Sequence, residues 1–211
     1  MPVIPGNGCI NLQITAKRTS HFQELKDLLI QYSNIGDQSM RAWFTANHDE
    51  NSWNGTEYEK YAVIAKPMAV FSATWNGVPL LYSGQELPNM KRLEFFEKDP
   101  IKWTKTYQVA DFYKTLLDLK SSNPALRGGD PNVTTYLLNT TANDKILAYV
   151  RKNGKDEVLV VLNMSKEPVS FSIEDGNLSG AFRNVFEKTK RNFDEGKDFN
   201  FKVSEYAVFE K

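Results

Sequence analysis

The chain has 211 residues, 41% of them apolar, with 4 Trp, 9 Tyr and 13 Phe, enough to bury a substantial core and too apolar for bulk disorder. Lys plus Arg and Asp plus Glu are each 26, so no charge excess points to nucleic acid or a membrane surface as partner. The single cysteine, Cys9, excludes an internal disulfide framework, and no apolar run approaches the ~20 residues of a membrane span.

Residues 1–19 hold two Pro, two Gly and no sustained period, which predicts an irregular lead-in. They lack the basic start and apolar centre of a signal peptide, which leaves the compartment open. Ser20 caps a predicted amphipathic helix. Phe22, Leu25, Leu28, Leu29 and Tyr32 line its apolar face, His21 is solvated, and Asn34-Ile35-Gly36 ends it. Trp43 to Ala46 then suit a short buried strand. Asn47, His48 and Asp49 follow at once. Parallel α/β barrels place active-site groups at such strand ends.

Asn54-Gly55 predicts a turn. A helical pattern runs from Thr56 to Thr74, with Pro67 expected to kink or split it, and Asn76-Gly77 stops it. Val78 to Tyr82 reads as a second buried strand, followed by a polar loop through Glu86. Leu87 to Thr106 is a long connection holding Lys91, Arg92, Phe95, Phe96 and Trp103. Connections of that length are commonly functional. The next helix is expected over Tyr107–Ser121, burying Phe112, Leu116, Leu117 and Leu119.

From Gly128 the pattern changes to short strands separated by turns at Asn153-Gly154, Asp175-Gly176 and Glu195-Gly196. Strands are predicted at Val133–Leu138, Ile146–Lys152, Glu157–Leu162, Val169–Ile173, Ala181–Phe186, Phe199–Val203 and Ala207–Phe209. The expected fold is therefore α/β plus all-β: a partial (β/α) TIM-type barrel over residues 1–127, then an antiparallel β-sandwich domain over 128–211.

Two stretches in register carry a family resemblance. Phe44-Thr45-Ala46-Asn47-His48-Asp49 resembles the seventh-strand motif of the α-amylase family of glycoside hydrolases (family 13). Gly77-Val78-Pro79-Leu80-Leu81-Tyr82-Ser83-Gly84-Gln85-Glu86 resembles its eighth-strand motif, Gly-Ile-Pro-Leu-Ile-Tyr-Tyr-Gly-Gln-Glu. The run from Phe95 to Trp103 is similar to a following segment in bacterial members, and Val158 to Asn163 to part of the family's C-terminal domain. The resemblance covers roughly residues 38–211 and implies the C-terminal portion of a retaining enzyme acting on α-1,4-glucans such as starch or maltooligosaccharides.

It further implies that Asp49 is the carboxylate that stabilises the transition state and that His48 grips sugar hydroxyls, while Asn47 orients the turn. Trp53 is the stacking candidate; Tyr82, Glu86 and Arg92 would line the cleft. Glu50 is assigned to structure, and Trp43, Trp75 and Trp103 to the core. His48 and Asp49 have no further partner at metal-ligand spacing. No cofactor is implied, and calcium, which the parent enzyme could hold, has no evident site here.

Retaining glycosidases need a nucleophile and an acid/base carboxylate ~5–5.5 Å apart. In the family the nucleophile lies in a Gly-Phe-Arg-X-Asp pattern on the fourth strand, and nothing before Ala42 matches it. A whole barrel takes ~250 residues, so residues 1–127 have room for two or three strand–helix units. The chain alone is expected to be inactive. Its parallel sheet would be completed by the N-terminal barrel portion or by self-association. Two alternatives remain: a non-catalytic carbohydrate-binding module, and a self-sufficient hydrolase using Asp49 and Glu86. A parent of this kind can be secreted or periplasmic.

Overall fold

The fold is that of a computed structural model, which describes residues 9–11, 26–27, 29–30, 40–87 and 89–211. Three short strands, β1 (Cys9–Asn11), β2 (Ala42–Phe44) and β3 (Val78–Pro79), form a parallel sheet in the order β1-β2-β3. Trp43 and Phe44 of the central strand are buried. Between β2 and β3 run α1 (His48–Trp53), α2 (Glu57–Tyr61), a 3-10 turn (Ala62–Ile64) and α3 (Ala65–Thr74). Most of the predicted helix over 22–34 lies outside the described residues. Where it is described, at 26–27 and 29–30, the backbone is helical.

The predicted 56–74 helix is split, and the break falls ahead of Pro67. Ala62 takes φ 47°, and the 3-10 turn leads into α3. Pro67 thereby occupies the first turn of α3, where a missing N–H costs no helical hydrogen bond. All of α3 except Lys66 is buried, because it packs on β2 and β3 on one side and on the antiparallel sheet on the other.

The predicted second buried strand is a correction. Regular pairing stops at Pro79, and Val78 and Leu81 are exposed. As the outer strand of the sheet, β3 has only β2 to pair with among the described residues. Gly77, which leads into β3, has φ +129°, and a Cβ there would lie 2.3 Å from the Arg41 carbonyl oxygen. The Trp43 indole, donating from Nε1 to the Asn76 carbonyl at 2.6 Å, holds the same turn.

Helix α4 (Ala110–Ser122) buries Tyr113, Leu116 and Leu119. Leu117, expected inside, is exposed; the three-residue spacing through Tyr113 sets the buried face instead. Asn123 ends the helix and caps the short 3-10 turn Pro124–Leu126.

Eight strands follow: β4 (Thr134–Leu138), β5 (Ile146–Asn153), β6 (Asp156–Asn163), β7 (Val169–Ser172), β8 (Ala181–Asn184), β9 (Lys190–Asn192), β10 (Asp198–Phe201) and β11 (Tyr206–Glu210). Six form an antiparallel sheet in the order β4-β5-β6-β11-β8-β9, while β7 pairs with β10. The seven predicted strands all appear. An eighth, β9, carries no strand signal in the sequence, because Lys190-Arg191-Asn192 is polar throughout and lies at the sheet's edge.

Strands β5 and β6 are apolar on both faces because each face meets a different core. Leu147, Tyr149, Val158, Val160 and Leu162 pack with Trp43, Met68, Phe71, Trp75 and Leu116. Ile146, Ala148, Val150, Leu159 and Val161 pack with Phe171, Phe182, Phe193, Phe199 and Phe209. At ~1.5–3 kcal/mol per fully buried large side chain, the first core ties residues on both sides of position 128 together. Its centre is Phe71, whose ring lies 5.3 Å from both Trp43 and Trp75. Tyr149 sits edge-on 4.8 Å from Trp75, and its hydroxyl bonds the Thr74 hydroxyl at 2.6 Å. Among the described residues, no helix is long and apolar enough to cross a membrane.

Candidate functional site

β2 hands directly into α1. Asn47 is the N-cap, in extended conformation, and its Oδ1 accepts the Glu50 N–H at 2.7 Å. That bond commits the Asn47 carbonyl oxygen to holding the helix start. His48 and Asp49 then project from the first turn with 71% and 57% of their side chains exposed, and His48 Nε2 lies 3.4 Å from Asp49 Oδ1. On an ideal strand neighbouring side chains point to opposite faces. The cap brings these two to one side.

Glu50 serves structure. Its Oε1 accepts from Asn54 Nδ2 at 3.1 Å, and its Oε2 lies 3.5 Å from Lys60 Nζ. Burial pulls the Lys60 pKa down, and the Glu50 charge opposes that shift. Arg92 donates from Nε to both Glu59 oxygens, at 2.9 and 3.1 Å. Glu59 in turn forms a capping box with Thr56 at the start of α2. Arg92, placed in the cleft by sequence, therefore makes its contacts at α2. Glu59 is held below the usual carboxylate range, first by Arg92 and then by the Thr56 N–H.

The turn after β3 carries Tyr82 and Glu86, both partly exposed. Glu86 Oε2 accepts the Gly84 N–H at 3.0 Å, and the Tyr82 N–H donates to Gln85 Oε1 at 2.7 Å. Beneath lies a buried network that sequence reasoning missed. Thr45 donates to Glu57 Oε2 at 2.7 Å. Gln85 Nε2 reaches Glu57 Oε2 at 2.7 Å, Thr45 Oγ1 at 2.8 Å and the Tyr113 hydroxyl at 3.1 Å. These four residues join the end of β2, the start of α2, the turn after β3 and α4. Burial pushes the Glu57 pKa up, and the hydrogen bonds from Thr45, Gln85, Tyr58 and Tyr113 only partly offset it. The Thr56-Glu57-Tyr58-Glu59 capping pattern was a visible signal for the helix start, but not for the burial of Glu57.

Trp53 ends α1 with 58% exposure. Its ring lies 5.2 Å from Phe95 and 6.1 Å from Phe96; those two are 4.8 Å apart, and Phe95 stacks on His48 at 6.5 Å and 22°. Trp43 and Trp75 are core residues as expected, but Trp103 is not. It is 55% exposed on the long connection. Among the described residues, no three of His, Cys, Asp and Glu gather as metal ligands.

An α/β segment presents the histidine–aspartate pair where its central parallel strand ends, and it is joined to an antiparallel β domain. Residues 137–209 match the family described as maltogenic amylase, C-terminal domain. An α-amylase of Dictyoglomus thermophilum is 24% identical over 182 residues, covering 81% of this chain and 30% of the relative. An α-amylase of Haloarcula japonica is 29% identical over 147 residues, covering 66% and 21%. The fold is shared with a maltogenic α-amylase from Thermotoga neapolitana, with TM-score 0.74, 17% identity, and coverage of 94% of this chain and 47% of that one. It is shared too with an α-amylase from Geobacillus thermoleovorans, complexed with acarbose, with TM-score 0.73, 17% identity and coverage of 94% and 45%. The chain is thus similar to the C-terminal portion of α-amylase-family (glycoside hydrolase family 13) enzymes, most specifically over residues 137–209. It spans less than a third of the curated relatives and about half of the solved chains.

Proposed function

We propose that this chain is the C-terminal part of a retaining hydrolase of α-1,4-glucans, made of the last units of a (β/α) barrel over residues 1–127 and a β-sandwich domain over 128–211. Asp49 is the carboxylate that stabilises the transition state. His48 binds sugar hydroxyls beside it, and Asn47, Trp53, Tyr82 and Glu86 shape the surrounding wall. Arg92 acts through Glu59 unless substrate draws it away. The carrying observation is the exposed His48–Asp49 pair brought to one side by the Asn47 cap, where a parallel strand ends. The locked Thr45–Gln85 contact supports the same reading, because it fixes the β2 and β3 ends relative to each other. The nucleophile and acid/base come from other barrel strands, so this chain binds glucan without cleaving it. The exposed Val78 and Leu81 at β3 fit completion of the sheet by the N-terminal barrel portion or a second copy.

Calorimetric titration of the purified chain with maltoheptaose, alongside reducing-sugar release from starch, tests this reading. The expected result is binding without turnover, weakened at least tenfold by Asp49→Asn, since a hydrogen bond to a charged group contributes ~1.5–3 kcal/mol. Starch hydrolysis abolished by Asp49→Ala would replace it with a self-sufficient hydrolase using Asp49 and Glu86. Maltoheptaose affinity indifferent to Asp49 would remove the sugar role altogether.

A further inference from the structure

The long connection folds back on α1 and is fixed there. Asn51, buried in α1, accepts the Leu93 N–H on its Oδ1 at 2.8 Å. Asp99 closes the turn ahead of it, pairing with Lys91 through Oδ1 and accepting the Glu94 N–H on Oδ2 at 3.0 Å. The rings of Phe95 and Phe96 are thereby held against Trp53, with Phe96 81% exposed. A contiguous aromatic surface kept in water by a preorganised loop marks a binding site more than a packing accident.

Size and surroundings select the occupant. A stable protein contact needs ~20–30 residues a side, far more than this patch offers. A pyranose presents an apolar C–H face ringed by hydroxyls. Flat rings bordered by an imidazole and a carboxylate match that chemistry. The surface is also continuous with the proposed sugar site, because Phe95 stacks on His48, which lies beside Asp49.

We propose that Phe95 and Phe96, with Trp53, form a stacking platform for the outer pyranose rings of an α-glucan chain running away from Asp49. The platform rests on the α-glucan reading of His48 and Asp49 and extends it to a length-selecting subsite. Phe96 is the terminal contact, because it is the most exposed ring. Phe95 joins the platform to His48.

The test is calorimetric titration of the full chain with maltose, maltoheptaose and the β-linked control cellohexaose, for wild type, Phe96→Ala, Phe95→Leu and Asp49→Asn. Phe96→Ala removes an exposed ring and leaves the thermal midpoint unchanged. It weakens maltoheptaose binding about tenfold, the equivalent of one lost aromatic contact, and leaves maltose nearly unaffected. Phe95→Leu shows the same length dependence, and cellohexaose binds wild type more weakly than maltoheptaose. If Asp49→Asn weakens both maltose and maltoheptaose while Phe96→Ala changes neither, the platform is wrong and the strand-end site stands. If Phe96→Ala weakens maltoheptaose while Asp49→Asn does nothing, the platform stands and the Asp49 assignment falls. No maltoheptaose binding by wild type, or a Phe96→Ala effect confined to dissociating a dimer, overturns the platform.

Discussion

Gln85→Leu is the sharpest probe of how the site is held together. Leucine is close in size to glutamine, so the change removes polar contacts and leaves no large void. The Gln85 amide nitrogen carries two hydrogens and has three acceptors in reach, so it forms two donated bonds at a time. Its carbonyl accepts a third bond, from the Tyr82 N–H at 2.7 Å. Two neutral bonds at about 1 kcal/mol each, and about 2 kcal/mol for the bond to the Glu57 carboxyl, give a loss of about 4 kcal/mol. At ~2–4 °C per kcal/mol for a chain of this size, the thermal midpoint should fall by roughly 8–16 °C. Urea unfolding followed by circular dichroism measures the loss directly. A loss under about 1 kcal/mol would show that Gln85 is solvated and that the β2 and β3 ends are not locked through it.

Asn47→Ala removes the α1 cap and should cost about 1 kcal/mol in urea unfolding, with maltoheptaose affinity falling as His48 and Asp49 lose their fixed relation. Glu57 has a raised folded pKa, so the folded state holds its proton more tightly than the unfolded one. Its contribution is fully present below the unfolded carboxylate range and is lost as pH rises through the folded pKa. Glu57→Gln should flatten that loss in urea midpoints taken from pH 4 upward, while Thr45 and Gln85 keep a hydrogen-bonding partner. Lys120, 3.4 Å from the Trp75 carbonyl, has its pKa lowered from 10.5 to about 7 by burial and then by Arg151. The unfolded chain binds the extra proton between those values, so stability should rise with pH across that window, by at most about 1.4 kcal/mol per unit. Lys120→Met should abolish the rise, and an unchanged slope would place Lys120 in solvent.

The parts of this fold legible in sequence are those where local chemistry and tertiary role agree. β5 and β6 show as long apolar runs because both faces are buried. Asn47-His48-Asp49 and Gly77 to Glu86 are legible as motifs because the chain must turn sharply after each short strand. Edges and coincidences of packing are not legible. β9 carries no apolar signal, and β3 reads as buried because Leu80, Leu81 and Tyr82 are apolar or aromatic, yet Leu81 faces out. Trp103 looks like a core residue by size and is held outside by its connection. Glu57 is the clearest failure. Nothing in a charged helix start announces that its carboxyl is buried, because its partners Thr45, Gln85 and Tyr113 are 12, 28 and 56 residues away.

The proposed α-glucan site stands on the His48–Asp49 pair as one of its walls. A crystal structure of the chain with maltoheptaose tests it most directly. A sugar ring with hydroxyls within hydrogen-bond distance of both side chains is the predicted result. Density for the oligosaccharide on the β domain alone, with the strand-end pair bare, would contradict it.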